Sequence, residues 1–318
     1  MSSPPTSRTI SVVIPVYNSD VALPKLIARL KPVLSEVCDN FEAILVDDGS
    51  PSDVWRVIEE LAGAHEWIRG VRLMRNFGQH NALLCGARLA RHDLILTIDD
   101  DLQHPPEEIP KLLERLDHGF DVVYGTPAAE KHGLWRNIAS QMTKIALSHA
   151  MGAKTAMKVS AFRVFRAEVR NAFSAYPGPF VSLDVLLTWG TTRFDAVTVR
   201  HDARVDGASH YTVRKLITHA LNMMTGFSTV PLQIASLIGF SFTFVGVVAL
   251  TYVVGRYLIE GTSVPGFPFL ASMIAIFSGA QLFALGIIGE YIARIHMRSM
   301  ERPAYAIRST TARDSDLP

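Results

Sequence analysis

The sequence predicts an α/β protein, a mostly parallel sheet with helices on both faces, followed by a two-helix transmembrane hairpin. Three observations carry this. Short apolar runs alternate with segments of helical spacing along most of the chain. The polar residues that look chemically useful fall directly after those runs, at the edge where open α/β sheets collect ligands. Two stretches without charge, Leu232 to Gly255 and Val264 to Gly289, stand near the C-terminus. Each is long enough to cross a hydrocarbon core of ~30 Å at ~1.5 Å per residue. Two buried helices of a soluble core are the alternative, but runs so rich in Gly, Ser, Phe and Leu favour the membrane.

Taken in order, Thr9 to Tyr17 reads as a buried strand running into a loop at Asn18, and Leu23 to Val37 has helical spacing. Phe41 to Val46 is a second strand, ending at Asp47-Asp-Gly-Ser-Pro-Ser-Asp53, with a helix from Val54 to Leu61. Ile68 to Leu73 is a third, followed by Arg75-Asn-Phe-Gly-Gln-His80 and a small-residue helix through Ala90. Leu94 to Ile98 is the fourth and Asp121 to Tyr124 the fifth. Trp135 to Met157 is helical, and Ser160 to Phe165 and Phe194 to Arg200 read as strands. Asp202 to Tyr211 is a polar loop. Thr212 to Phe227 sets Arg214, Lys215 and His219 against Leu216, Ile217, Leu221 and Met224. Leading into a span, such a segment lies along the bilayer interface or packs on the core; periodicity alone does not separate the two. The expected division is therefore 1–211, 212–230, 231–293 and 294–318.

With 318 residues and a net charge of +1, nothing global points to nucleic acid. Met1 to Thr9 is polar and proline-rich, so no signal peptide is expected. Cys38 and Cys85, without metal spacing, read as inert thiols of a reduced compartment. The 11 histidines show no zinc pattern. There is no G-x-G-x-x-G and no Walker A lysine, so NAD and P-loop readings lack their signature. Arg200, Arg204, Arg214 and Lys215 precede the first span, and Arg294, Arg298, Arg302 and Arg308 follow the second. The intervening loop holds Arg256 and Glu260. That bias places the large domain and both termini in the cytoplasm, with a multi-pass anchor in the inner membrane. Gly239, Gly246, Gly279, Gly286 and Gly289 would allow helix packing between subunits of a homo-oligomer.

The most informative stretch is Leu94 to Glu107, an apolar run that breaks into Asp99-Asp-Asp-Leu-Gln-His-Pro-Pro-Glu107. In an extended tip Asp99, Asp101 and Gln103 would point the same way. Two carboxylates and an amide oxygen suit Mg²⁺ or Mn²⁺, leaving the rest of the shell to water and a diphosphate. A solvated acidic turn capping the next helix is the plainer reading. The strand in front and the Gln103-x-Pro-Pro-Glu107 behind favour the metal.

In family order, Val12-Val-Ile-Pro-Val-Tyr-Asn18, Val46-Asp-Asp-Gly-Ser50, Arg75 to His80, Asp99 to Glu107, Gly207-Ala-Ser-His-Tyr211, Gly289-Glu-Tyr-Ile-Ala-Arg294 and Arg302-Pro-Ala-Tyr305 span almost the whole chain. Together they resemble the inverting GT-A glycosyltransferases that load polyprenyl phosphates, which include dolichyl-phosphate mannose synthases and undecaprenyl-phosphate aminoarabinose and glucosyl transferases. The resemblance implies a GT-A (Rossmann-like) sheet and a nucleotide-sugar donor, a UDP-sugar first. It also implies a polyprenyl phosphate acceptor at the cytoplasmic membrane face. Pro15 and Tyr17 would border the base, with Tyr17 equally readable as a strand-end cap. Asp48 would accept a hydrogen bond from the base, and Arg75 would sit near the base or diphosphate. Asn76 and Gly78 would shape that loop. Asp101 and Gln103 would ligate the cation with Asp99 in or beside its shell, and Asp100 would stand at the donor.

A phosphate-monoester acceptor is already anionic and needs cations rather than a strong base. Arg136, Arg204 and Ser209 are the candidates to hold it, with Arg214 or Lys215 as helpers; each arginine is also readable as a surface charge or headgroup anchor. Four features depart from the family pattern. Asp100 stands where alanine is usual, Ala208 and His210 replace a carboxylate and a lysine, and Thr126-Pro127-Ala128 stands where an arginine often follows. Asp184 lies in an apolar run, as a sugar or acceptor contact or a structural ion pair. A glycan-extending transferase, a nucleotidyltransferase and a non-catalytic sugar-nucleotide-binding scaffold stay open as rival readings. The first lacks its usual Gln-x-x-Arg-Trp, and the second has no need of the hairpin.

Overall fold

The computed structural model describes residues 8–127, 159–179, 181–202, 230–260 and 266–311. The chain divides into two compact units, Met1–Ile217 with Glu301–Pro318, and Thr218–Met300.

In the first unit the strands are β1 (Thr9–Val16), β2 (Asn40–Asp47), β3 (Ile68–Leu73), β4 (Leu94–Thr97), β5 (Val122–Pro127), β6 (Arg163–Arg166), β7 (Phe194–Val199) and β8 (Ile307–Thr310). They form one sheet in the order β7-β5-β6-β4-β1-β2-β3-β8. The β4-β1-β2-β3 centre is parallel throughout. Ile10 to Val16 is buried without a break, as expected of a strand covered on both faces. On one face, Ile10, Val12, Ile14 and Val16 meet three helices. These are α1 (Ala22–Val37), α2 (Val54–Ala64) and α4 (Ile109–Asp117). Helix α1 buries Leu23, Leu26, Ile27, Leu30 and Leu34, a stripe at the 3.6-residue period. On the other face lies α3 (Gln79–Leu89), buried nearly all round. Its Gly86 admits the approach, since a Cβ there would come within 2.3 Å of Val13 Cγ1. Helix α5 (Leu183–Gly190) completes the unit.

Two strands depart from a purely parallel plan. β6 inserts antiparallel between β4 and β5. β8, in the 294–318 stretch where no strand was expected, pairs antiparallel with the β3 edge. The chain runs from β1 outward through β2 and β3, then returns to place β4 on the other side of β1. That reversal makes a crevice beyond the carboxyl ends of β1 and β4, where ligands of such sheets bind.

In the second unit α6 (Val230–Glu260) and α7 (Phe267–Ser299) are continuous helices of 31 and 33 residues. They contain apolar stretches Leu232–Ile259 and Ile276–Ser299, with mean hydropathy 2.2 and 1.5. Phe242 and Phe277 meet edge to face at 5.8 Å, and Gly246 gives Phe277 room. Leu237, Phe240, Phe244, Leu258 and Ile259 are exposed, as the lipid-facing side of a span would be. The segments 135–157 and 212–227, read as helices, fall wholly outside the described residues.

Candidate active site at the sheet's switch point

Four loops meet at the carboxyl ends of β1 to β4. After β1, Tyr17 is half-exposed and its amide donates to Asp100 Oδ2 at 3.2 Å. Pro15 is buried in β1 opposite Val46, so it shapes the strand end beneath Tyr17. Asn18 adopts a left-handed φ of 56° and donates its amide to Ser50 Oγ at 3.1 Å.

After β2, Asp48 is buried. Its two oxygens accept the amides of Phe77 at 2.7 Å and Gly78 at 2.8 Å. Burial raises its pKa, against the pull of those two amides. Asp48 thus organises the loop after β3, and its remaining lone pairs are what a base could meet. Gly49 makes this contact feasible. It has φ +66°, and a Cβ there would sit 2.3 Å from the Arg75 carbonyl carbon. Arg75 itself is exposed, its guanidinium 4.3 Å from the centre of the Phe77 ring.

After β4, the tip is a turn rather than the extended segment the alternation suggested. Leu102 takes φ 61° and is buried in the core, which swings Asp101 and Gln103 around it. Asp99 Oδ1 accepts Gln79 Nε2–H at 2.6 Å, and Asp101 Oδ1 accepts the Gln103 amide at 3.1 Å. Burial pushes Asp99 up to about 7, with Asp101 and Asp100 adding to the rise and Arg163 and Gln79 opposing it. Asp100 is pushed up to about 6 by burial, against bonds from Ser19 and the Tyr17 amide. Among the described residues no three Asp, Glu, His or Cys side chains already surround one point. Crowded carboxylates whose ionisation is penalised nevertheless suit a hard dication whose shell a diphosphate would complete.

Asp184 is explained. It pairs with Arg163 and accepts Tyr124 Oη–H at 3.1 Å, while Arg163 Nε donates to Thr97 Oγ1 at 3.1 Å. This is the structural ion pair, set directly below the acidic tip. The chain entering the next loop is fixed to that tip as well. Asp202 donates its amide to the Gln103 carbonyl at 2.9 Å, and the His104 and His201 rings meet at 5.0 Å. Burial lowers His104 to about 4, with His201 adding to it and Asp101 opposing.

Tyr17, Asp48, Asp99, Asp100, Asp101 and Gln103 therefore share one loop cluster, with Arg75 at its edge. Arg136, Arg204, Ser209, Arg214 and Lys215 lie outside the described residues, as do Ala208 and His210. Sequence reasoning took Gln79 and His80 only as part of the Arg75–His80 motif, without a role of their own, and passed over Arg163. Gln79 reaches Asp99, and His80 Nδ1 accepts the Leu183 amide at 3.3 Å. The available signal for Arg163 was a lone charge in Phe162-Arg-Val-Phe165, matching lone Asp184 in another apolar run.

The chain is similar to known proteins in sequence and in fold. The undecaprenyl-phosphate 4-deoxy-4-formamido-L-arabinose transferase of Pectobacterium carotovorum subsp. carotovorum (strain PC1) is 33% identical over 313 residues, covering 98% of this chain and 96% of that protein. The protein of the same name from Pseudomonas aeruginosa (strain LESB58) is 33% identical over 316 residues, covering 97% and 92%. In fold, glucosyl-3-phosphoglycerate synthase from Mycobacterium tuberculosis superposes with a TM-score of 0.50 at 19% identity, over 69% of this chain and 76% of that one. Residues 11–173 match the family profile described as Glycosyl transferase family 2, and with these relatives the chain belongs to that family.

Proposed function

We propose that this glycosyltransferase moves one sugar from a nucleotide donor to a polyprenyl phosphate at the cytoplasmic face of the inner membrane, with inversion. The observation that carries the reading is the acidic tip at the switch point, hydrogen-bonded to the loops after β1 and β3. In this reading Asp99, Asp101 and Gln103 hold Mg²⁺ or Mn²⁺, which neutralises charge on the departing nucleoside diphosphate. Tyr17, above the buried Pro15, borders the base. Asp48 and Arg75 present the loop on which base and diphosphate rest, and Asp100 fixes Tyr17 by accepting its amide.

The acceptor phosphate oxygen attacks the anomeric carbon as the bond to the diphosphate breaks, so no strong base is required. Arg136, Arg204 and Ser209 hold that phosphate, with Arg214 and Lys215 beside the bilayer. Asp202, two residues before Arg204 in sequence, donates its amide to the carbonyl of Gln103, which supports giving Arg204 this role. The relatives named above support undecaprenyl phosphate as acceptor and a formamido-pentose as the first sugar to test. Uridine diphosphate is the first carrier to test; the mycobacterial synthase was solved with it and Mn²⁺. The return of β8 to the sheet supports an even number of crossings, with both termini cytoplasmic. A Cβ at Gly239, Gly279, Gly286 or Gly289 would meet no atom within 4 Å among the described residues, which leaves room there for a second copy of the chain. Gly246 is already occupied by Phe277.

The test is to incubate the detergent-purified chain with undecaprenyl phosphate, Mn²⁺ or Mg²⁺ and a panel of UDP-, dTDP- and GDP-sugars, and to look for a glycosyl phospholipid by mass spectrometry. Product that disappears with EDTA and in Asp101→Ala is expected. Absence of sugar-nucleotide binding across the panel would turn the reading toward a scaffold.

A further inference from the structure

The stretch after α7 does little for the core. Of residues 301–311 only Ala304 is a buried apolar residue, and β8 is a four-residue polar strand at an edge. Its bonds go to the β3 edge, where Gly70 and Thr311 exchange two, and to the residues flanking the next loop. Ala306 O accepts the Met74 amide at 2.9 Å, immediately before the Arg75–His80 loop. Ala304 O accepts Asn81 Nδ2–H, immediately after that loop. Asn81 also donates to Pro179 O at 3.1 Å.

Between these two points Tyr305 lies over α3, its ring 5.6 Å from the Arg88 guanidinium, with Cys85 in hydrogen-bond contact. Asn81, Cys85 and Arg88 are spaced i, i+4, i+7 and so form one stripe of α3. The loop whose ends are held in this way supplies the Phe77 and Gly78 amides to Asp48 and the Gln79 amide group to Asp99.

We infer that the tail segment Ala304–Ala306 is part of the donor site, with Asn81 and Tyr305 as positioning residues that hold the Arg75–His80 loop for the nucleotide. The inference rests on the reading of that loop as donor-binding. Beyond its pairing along β3, the tail bonds to both ends of one functional loop and so holds that loop's geometry, and the chain reaches this position only after both apolar helices are made. Donor binding therefore requires a completed C-terminus.

The experiment uses the full-length chain in detergent. Asn81→Ala, Tyr305→Ala and Tyr305→Phe are compared with wild type in three readouts. These are UDP affinity with Mn²⁺ by calorimetry, KM for undecaprenyl phosphate, and amide exchange of the 74–80 peptide. Asn81→Ala and Tyr305→Ala are expected to weaken UDP roughly tenfold, about 1.4 kcal/mol. Exchange at Phe77 and Gly78 should quicken, KM for the lipid should hold, and Tyr305→Phe should recover most of the affinity. UDP affinity and loop exchange at wild-type values would overturn the inference. So would faster exchange across the whole domain with both substrates weakened alike, which marks a merely structural tail. Failure of the wild type to bind UDP or any other nucleotide in the panel would overturn the donor reading itself. Loop exchange, which needs no ligand, separates that failure from a failure of the tail to hold the loop.

Discussion

Asp99 and Asp100 ionise against a penalty, and that penalty has a sign. Their pKa values in the fold, about 7 and about 6, stand above the ordinary carboxylate value of 3.8. Their ionisation therefore opposes folding. In the metal-free protein, stability present below the unfolded pKa is lost as pH rises through 6 to 7. A divalent cation should reverse that loss, and more so at pH 8 than at pH 5.5, where protons compete for the same oxygens. Thermal unfolding with and without Mn²⁺ at the two pH values checks this; a gain of about 2–4 °C per kcal/mol of binding is the scale to expect. Asp101→Ala should abolish the gain at both. Arg163 beneath them gives a second expectation. Arg163→Met alone strands Asp184 in a site where both partners are nearly buried, at a cost of about 3–5 kcal/mol. Adding Asp184→Leu should return much of it, which a double-mutant cycle on unfolding would show.

Among the elements, the loops after β2 and β3 are the most tightly specified pair. Gly49→Ala adds a left-handed non-glycine residue and drives a Cβ into the Arg75–Asn76 backbone. About 1–3 kcal/mol of local strain is expected. Because Asp48 and the Phe77–Gly78 amides move with it, UDP affinity should fall while the unfolding temperature drops only modestly. Calorimetry beside a melting curve reads both. The same comparison shows what was legible in advance. β1 and β4 were readable because strands buried on both faces are written as near-continuous apolar runs. β8 was not, since Ile307-Arg-Ser-Thr310 is a half-exposed edge strand without an apolar pattern. β6 was legible as a strand over Ser160 to Phe165, but the role of its buried Arg163 was not, because its partner lies 21 residues along the chain. In the site, three carboxylates interrupting an apolar run announced themselves. Gln79 did not, because its meaning is a bond to Asp99 that only the packing of α3 against β1 creates. The left-handed Leu102 was equally invisible, and it turned an expected extended tip into a bend.

For the whole molecule, two apolar helices join a domain whose last strand, β8, returns to the sheet begun by β1. If α6 and α7 cross the bilayer, residues 261–265 emerge on the far side while residue 309 stays with the domain. A membrane-impermeant maleimide applied to intact cells should label Thr262→Cys and spare Ser309→Cys until the membrane is opened; the reverse pattern would refute this topology. Cys38 and Cys85, half-buried and buried, give little background. In that topology the chemistry would be confined to one face of the membrane, where a soluble nucleotide sugar and a lipid phosphate can both arrive. The most direct measurement is the stoichiometry and configuration of the product formed from undecaprenyl phosphate and the accepted donor. One glycosyl unit per lipid, one nucleoside diphosphate released per unit and an inverted anomeric centre are expected. Diphosphate release without a lipid product, or a lipid carrying several sugars, would contradict single transfer to a polyprenyl phosphate.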